Sequence, residues 1–370
     1  MKINITRILF LFIAASLALS SCSKDNATYP DSHEPTTMGC VRPAYLKAGD
    51  TVALISPSFY TPMENVDQTA EVLRGWGLVP MIGPNVGKIA DGKYAGTVAE
   101  RVSDIRWALG DPSVKAIICN RGGYGCIQLI NQLTLAEIKA SPKWIVGFSD
   151  ISTLHGLWSR AGVMSIHGTM SSYLAAGGTD TTSTLMRDLL LGMVPRYELP
   201  SHPQNIEGIA SGVLVGGNLC TIAPNIGTQA DATIDKDIIL LIEEVGESMR
   251  NIDRQMRVLQ MNGVFDRCKG IILGEFVGCG TEFTYESVEA MLHDMLAEYD
   301  IPVLCGFPAG HGDVNLPLVM GAPVTIDVRS NGATIQFNIE GTQRQVHTAD
   351  ITATPTPLAT RMIAAGKRER

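Results

Sequence analysis

The 370-residue chain has no C-x-x-C pair, no basic cluster before its last few residues, and no second long apolar run after its start. Each lack removes a class of function. Without ligand pairs at finger spacing, no metal site is expected. Net charge is −8, and outside Lys367-Arg368-Glu369-Arg370 the positive residues are dispersed, so nucleic acid is not an expected partner. No later stretch is apolar for long enough to form a transmembrane helix. Also missing are G-x-G-x-x-G and a glycine-rich loop ending in Gly-Lys-Ser/Thr, so no cofactor is indicated.

The start of the chain is built differently from the rest. Lys2 and Arg7 precede an apolar run, Ile8 to Leu19, that is short for a membrane span. It ends in Leu19-Ser20-Ser21-Cys22, which resembles a bacterial lipobox. The expectation is a signal peptide over 1–21, lipidation of Cys22 and a polar tether over 22–42 rich in Ser, Asp, Asn, Pro and Thr. That would anchor the protein in the cell envelope outside the inner membrane, on the periplasmic side or at the outer membrane. The other cysteines (Cys40, Cys119, Cys126, Cys220, Cys268, Cys279, Cys305) are odd in number, and several lie in apolar runs. They read as small buried hydrophobes. An exported chain permits a disulfide, but no pair is indicated.

The remainder is long enough for two domains, with 45% hydrophobic and 18% charged residues overall. Strand patterns near 51–56, 79–83, 114–120 and 144–146 alternate with helical patterns near 65–76, 98–109 and 126–133. This order predicts an α/β fold: a Rossmann-like, parallel-sheet N-terminal domain over 43–195 with helices on both faces. Pro80 assigns its strand to an edge. The polar, proline-bearing stretch 196–211 reads as a linker. A smaller mixed β/α domain over 212–345 follows, with strands near 238–242, 270–274, 302–304, 323–328 and 333–337 and helices near 250–262 and 287–299. The tail is 346–370.

The chemistry concentrates in loops after strands, where parallel sheets bind ligands. Trp144-Ile145-Val146-Gly147 runs through Phe148 into Ser149-Asp150, and a helical pattern starts at Ser152. A serine at such a turn is exposed beside helix-opening amides, which suits a nucleophile. The second glycine of G-x-S-x-G is absent, with Ile151 in its place, so a simple helix cap is the competing reading. Arg121-Gly122-Gly123-Tyr124-Gly125 suits an oxyanion hole, because glycines allow close backbone approach. For a base, His33, His202, His293 and His347 lie in the tether, the linker, a helix and the tail. His155 falls inside the helix after Ser149. His167 and His311 remain on equal terms; the latter is framed by glycines in Gly310-His311-Gly312. For the acid, Glu243-Glu244 follows five aliphatic residues, with Glu247 a weaker choice.

Together these segments resemble the LD-carboxypeptidase family of serine peptidases, which includes murein tetrapeptide carboxypeptidases and microcin-immunity peptidases. The matching stretches are R-G-G-Y-G (121–125), G-F-S-D-I-S (147–152), H-G (167–168), G-G-N-L (216–219), L-I-E-E-V-G-E (241–247), I-D-R (252–254) and G-F-P-A-G-H-G (306–312). They lie in the family's order. The resemblance implies a triad of Ser149, Glu243 and His311, with Glu244 standing where the family has aspartate. It implies oxyanion amides from Gly123 and Asp150, and a substrate pocket shaped by Arg121, Gly122 and His167. The active site would form where the two domains meet. The implied substrate is a murein-derived peptide ending in D-alanine, cleaved without a metal, and family members are often homodimers. Two other readings stand beside it: a microcin-immunity-type amidase acting on another peptide or peptidyl-nucleotide, and a lipid-anchored solute-binding protein without catalysis.

Overall fold

The computed structural model describes residues 39–235, 237–280 and 284–351. The expected signal segment, Cys22, His33 and most of the C-terminal tail lie outside the described residues.

Two sheets organise the chain. The first contains β1 (Thr51–Ile55), β2 (Val79–Ile82), β3 (Val114–Cys119), β4 (Trp144–Gly147), β5 (Ser165–His167) and a late strand, β11 (Leu318–Met320). The order is β2-β1-β3-β4-β5-β11, all parallel except β11. Strands β1, β3 and β4 are buried almost throughout, which is why they read as continuous apolar runs rather than alternating ones. Strand β2 is partly exposed and carries Pro80 at the sheet edge, as expected. The chain leaves β1 toward β2 and returns on the other side at β3. The carboxyl ends of β1 and β3 therefore flank the crevice where the winding reverses.

The second sheet contains β6 (Met193–Leu199), β7 (Gly208–Asn218), β8 (Ile238–Val245), β9 (Cys268–Val277), β10 (Val303–Leu304), β12 (Pro323–Arg329), β13 (Gly332–Phe337) and β14 (Thr342–His347). Its order is β10-β9-β8-β7-β12-β13-β6-β14. Strands β7 to β10 are mutually parallel, so their carboxyl ends share one edge. With eight strands it is the wider sheet, not the smaller one. The extra width comes from stretches expected to be linker and tail. Strand β6 covers the start of the 196–211 segment and β7 its end. Pro195, Tyr197 and Leu199 alternate along one buried face of β6, with Val194 buried on the other, but Pro195, Arg196 and Glu198 give it a loop-like composition. Strand β14 is polar and pairs in parallel with β6.

The two sheets share a core. Val52, Leu54, Trp144 and Ile166 of the first pack in one cluster with Leu214, Leu241, Leu304 and Ile335 of the second. Full burial of each such side chain contributes about 1.5–3 kcal/mol. The chain also stitches the sheets together: the Gly321 N–H donates to Leu214 O (2.7 Å), and the Leu214 N–H donates to Ala322 O (2.9 Å). Helix Val98–Gly110 begins with a reciprocal capping box between Thr97 and Glu100. The 126–133 helix is a 3-10 segment, Cys126–Gln132, entered from Gly125 at φ +132°. Cys40, Cys119, Cys126, Cys268 and Cys305 are buried, as small hydrophobes should be, whereas Cys220 is exposed and Cys279 half-buried. All seven are free thiols.

Candidate active site

Strand β4 ends in a turn with little freedom. A Cβ on Gly147 would lie 2.9 Å from Ile151 Cγ1, so only glycine lets the chain fold back this tightly. Ser149 then sits at φ +64°, in the left-handed region that a serine enters at a cost of about 1–3 kcal/mol. It opens the 3-10 turn Ser149–Ile151, which runs into helix Ser152–Arg160. Gly122 lies against it: a Cβ there would meet Ser149 Cβ at 2.8 Å and Oγ at 3.0 Å. The predicted nucleophile and the predicted oxyanion loop are therefore in contact. Gly123, next along, has φ +121° and faces the Phe59 ring.

Asp150 does more than present an amide. Its buried Oδ2 accepts from Ser58 Oγ (2.6 Å) and from the Cys126 N–H (2.9 Å). One carboxylate thus ties together the loops after β1, β3 and β4. Arg121 is half-buried with its guanidinium 5.9 Å from the Phe59 ring centre.

The acid and base come from the second sheet. Glu243, on β8, is fully buried and its Oε2 lies 2.8 Å from His311 Nδ1. Gly310 at φ +122° makes room for this pair, since a Cβ there would meet Glu243 Oε2 at 2.5 Å. Burial pulls the His311 pKa down, but the charge and hydrogen bond of Glu243, with Glu244 and Glu275 behind it, outweigh burial and leave it raised above the usual 6.5. The His311 ring meets the Phe148 ring edge-on at 5.0 Å, beside Ser149. On the other side, the Asn218 N–H of the G-G-N-L segment donates to Ser152 Oγ (3.0 Å). The two sheets therefore meet at the serine turn.

The remaining candidates separate cleanly. Glu244 turns away from His311 and accepts from Asn218 Nδ2 (3.0 Å) and the Cys220 N–H (2.8 Å), so it secures the loop after β7. Glu247 accepts from Asn251 Nδ2 (2.8 Å). His167 is fully buried behind Phe148, ring centres 5.9 Å apart. Burial first, then His155 and His311, push its pKa down to about 3, so it stays neutral. His155 is also buried and spans Ser165 Oγ (2.8 Å) and Gly147 O (2.9 Å), bracing the end of β4. His202, His293 and His347 bond to Gln204 N, Gln204 O and Glu198, in the 202–205 turn and beside β6.

Three site residues escape a sequence reading. Tyr173, half-buried with Glu243 and Arg121 as its charged neighbours, has its phenol pushed up to about 12, chiefly by desolvation. No motif marks it. Arg101 lies on a helix, where an arginine normally faces water. Glu275 follows Ile271-Ile272-Leu273-Gly274, an acid ending a buried strand just as Glu243 does, and that parallel is a usable signal. Pairing between β8 and β9 shifts register between Ile242 and Glu244, so Gly274 and Glu275 together oppose Glu243. This bulge brings Glu275 toward the His311 loop, where a Cβ on Gly312 would collide with its carboxylate.

A serine on a strained strand-to-helix turn, with a histidine–carboxylate pair close by, is the arrangement of a serine hydrolase. The chain belongs to the LD-carboxypeptidase family: residues 52–168 match its N-terminal domain and 211–326 its C-terminal domain. It is 30% identical to a murein tetrapeptide carboxypeptidase of Pseudomonas aeruginosa, over 71% of this chain and 89% of that one. It is 25% identical to the microcin C7 self-immunity protein MccF of Escherichia coli, over 81% of this chain and 97% of the relative. The fold matches the crystal structure of a muramoyltetrapeptide carboxypeptidase from Oxalobacter formigenes with a TM-score of 0.71 at 25% identity, covering 79% of this chain and all of that one (100%). The protein is a carboxypeptidase hydrolase, which removes the non-catalytic solute-binding reading.

Proposed function

We propose that the protein is a serine LD-carboxypeptidase that releases the terminal D-alanine from murein-derived tetrapeptides. The observation that carries this is the buried His311–Glu243 pair at 2.8 Å, packed through Phe148 against the turn that holds Ser149 at φ +64°. His311 takes the Ser149 hydroxyl proton as the oxygen attacks the scissile carbonyl. Glu243 holds the ring with its proton on Nδ1 and stabilises the imidazolium. The amides of Gly123 and Asp150 receive the oxyanion. The Ser149–acyl bond forms as the C–N bond breaks, and His311 returns its proton to the leaving amine. Water, deprotonated by His311, then releases the tripeptide. Arg121 offers a guanidinium beside this site for the carboxylate of the terminal residue, the group that distinguishes a carboxypeptidase substrate from an internal peptide bond.

The test is mass spectrometry of a purified murein tetrapeptide after incubation. Tripeptide and free D-alanine are expected with the wild type and not with Ser149→Ala. The similarity to MccF keeps a second substrate in view. Phe59, Tyr94 and Tyr124 form a row of rings beside Gly123, centres 5.8 and 6.3 Å apart, that would also suit a planar leaving group. Cleavage of a peptidyl-nucleotide amide, with the tetrapeptide untouched, would move the assignment there. The lipobox supports placing this activity at the cell envelope through a lipid on Cys22. Loss of incorporated radiolabelled palmitate in Cys22→Ser checks that placement. The proposal includes a homodimer as the assembly, which sedimentation would report.

A further inference from the structure

Arg101 is the largest charged side chain held deep in the first sheet, 2% exposed, and no step above uses it. It points from helix Val98–Gly110 into the crevice between the carboxyl ends of β1 and β3. Nη1 donates to Pro57 O (2.9 Å), in the loop after β1, and to Gly125 O (3.0 Å), the end of the glycine loop after β3. Nη2 donates to Gln128 Oε1 (2.6 Å), on the 3-10 segment that follows. The guanidinium carbon lies 5.3 Å from the Tyr94 ring centre. A buried guanidinium is costly unless its donors are used; here two bonds go to loop carbonyls and one to the Gln128 amide oxygen, none to a carboxylate, and the buried Nε has no partner among the described residues.

The geometry assigns Arg101 a positioning role for the oxyanion. The 121–125 loop has glycines at 122, 123 and 125, two of them at φ +121° and +132°, and a glycine-rich segment loses more freedom on ordering than any other. Two clamps close it. Asp150 gathers donors from both loops, Ser58 Oγ and the Cys126 N–H, while Arg101 gathers carbonyls from both, Pro57 and Gly125. Between them the backbone just after Gly123 is fixed at Gly125 and Cys126, while the Phe59 N–H, from the loop that both clamps also hold, donates to Gly122 O (3.4 Å) just before it, so that the Gly123 N–H is positioned for the carbonyl that Ser149 attacks. This rests on the reading of Ser149 as nucleophile and Gly123 as oxyanion donor.

The test is the second-order rate of labelling by an alkyl fluorophosphonate, whose reaction uses the same oxyanion amides and does not depend on the peptide substrate. Arg101→Met is expected to label about 100-fold more slowly, the cost of misplacing one oxyanion donor. Arg101→Lys, which keeps the charge and part of the donor set, should recover some of that loss. On tetrapeptide, kcat should fall with KM changed less than about threefold, because the donor acts on the transition state. Should Arg101→Met fail to fold, Arg101→Lys and Gln128→Leu carry the measurement, each with an intermediate rate. Wild-type labelling rates in folded Arg101 variants overturn this inference alone. Undiminished labelling of Ser149→Ala overturns the nucleophile assignment beneath it.

Discussion

The turn that carries Ser149 and the loop that carries His311 lie at the carboxyl ends of two sheets, yet they are held by different means. On the Ser149 side, position comes from the backbone: a residue at φ +64°, three glycines where any Cβ would strike a neighbour, and two buried clamps, Asp150 and Arg101. On the His311 side, position comes from charge. Glu243, Glu244 and Glu275 all act on one imidazole, and they raise its pKa although burial lowers it. The first half should respond to mutation with lost rate and an unmoved pH profile. The second should respond with both rate and profile.

The largest effect belongs to Ser149. Replacement by glycine is expected to lower kcat/KM by about 10⁶-fold, the scale of losing a nucleophile that acts as part of a unit. The same change should raise thermal stability slightly, by about 1–2 °C, because glycine accepts φ +64° without strain and returns part of the 1–3 kcal/mol. Calorimetry beside the activity assay reads both. A variant that is inactive and less stable would show that the turn is not strained, and the backbone half of the comparison would fail.

Glu243→Gln comes next. The amide cannot stabilise an imidazolium, and kcat should drop by about 10³–10⁴-fold. Because Glu243 is what raises the His311 pKa, the acid limb of residual kcat/KM should move to lower pH. Gly122→Ala is the matched change in the other half. Its Cβ would fall 2.8 Å from Ser149 Cβ and displace the hydroxyl, for a loss of about 100-fold with the acid limb in place. A moved limb in Gly122→Ala, or a fixed one in Glu243→Gln, breaks the division between the halves.

How much of this was legible follows the same division. The Ser149 half is local in sequence: strand, glycine, serine and helix occupy 144–160, and the loop proposed to bind the oxyanion directly follows β3. Buried parallel strands announce themselves as apolar runs, so β1, β3 and β4 were readable along with the edge strand β2, whereas β5 and β11, three residues each, are too short to show a pattern. The His311 half depends on contacts between distant segments. Nothing in the composition of Glu243-Glu244 shows which carboxylate faces His311; the pleat of β8 decides it. His167 and His311 were equal on physical grounds until the Glu243 carboxylate, bonded to His311 Nδ1, separated them; burial alone does not, for both rings are largely enclosed. Strands β6 and β14 were missed because half their residues face outward and carry polar side chains. Arg101 was missed because a helical arginine has no sequence mark of burial.

The smallest predicted effect is the most discriminating. Glu275 has its carboxyl pushed up to about 7, first by burial and then by Asp313, with Glu243 adding to the shift and His311 opposing it. Its Oε2 is buried without a hydrogen-bond partner among the described residues. The folded protein therefore holds a proton that the unfolded chain, with an ordinary value near 4.5, releases earlier. The associated stability is fully present below pH 4.5 and is lost as pH rises through 7. Glu275→Gln removes that dependence. The variant should match the wild type in Tm near pH 5 and exceed it by a few degrees at pH 8, with kcat at pH 7 within about threefold. Its acid limb should also shift slightly downward, because one of the charges that raise the His311 pKa is gone. Parallel Tm curves from pH 5 to pH 8 would mean that Glu275 is ionised throughout and paired in solution. Glu275 would then act on His311 as a full negative charge across that whole range, alongside Glu243 and Glu244.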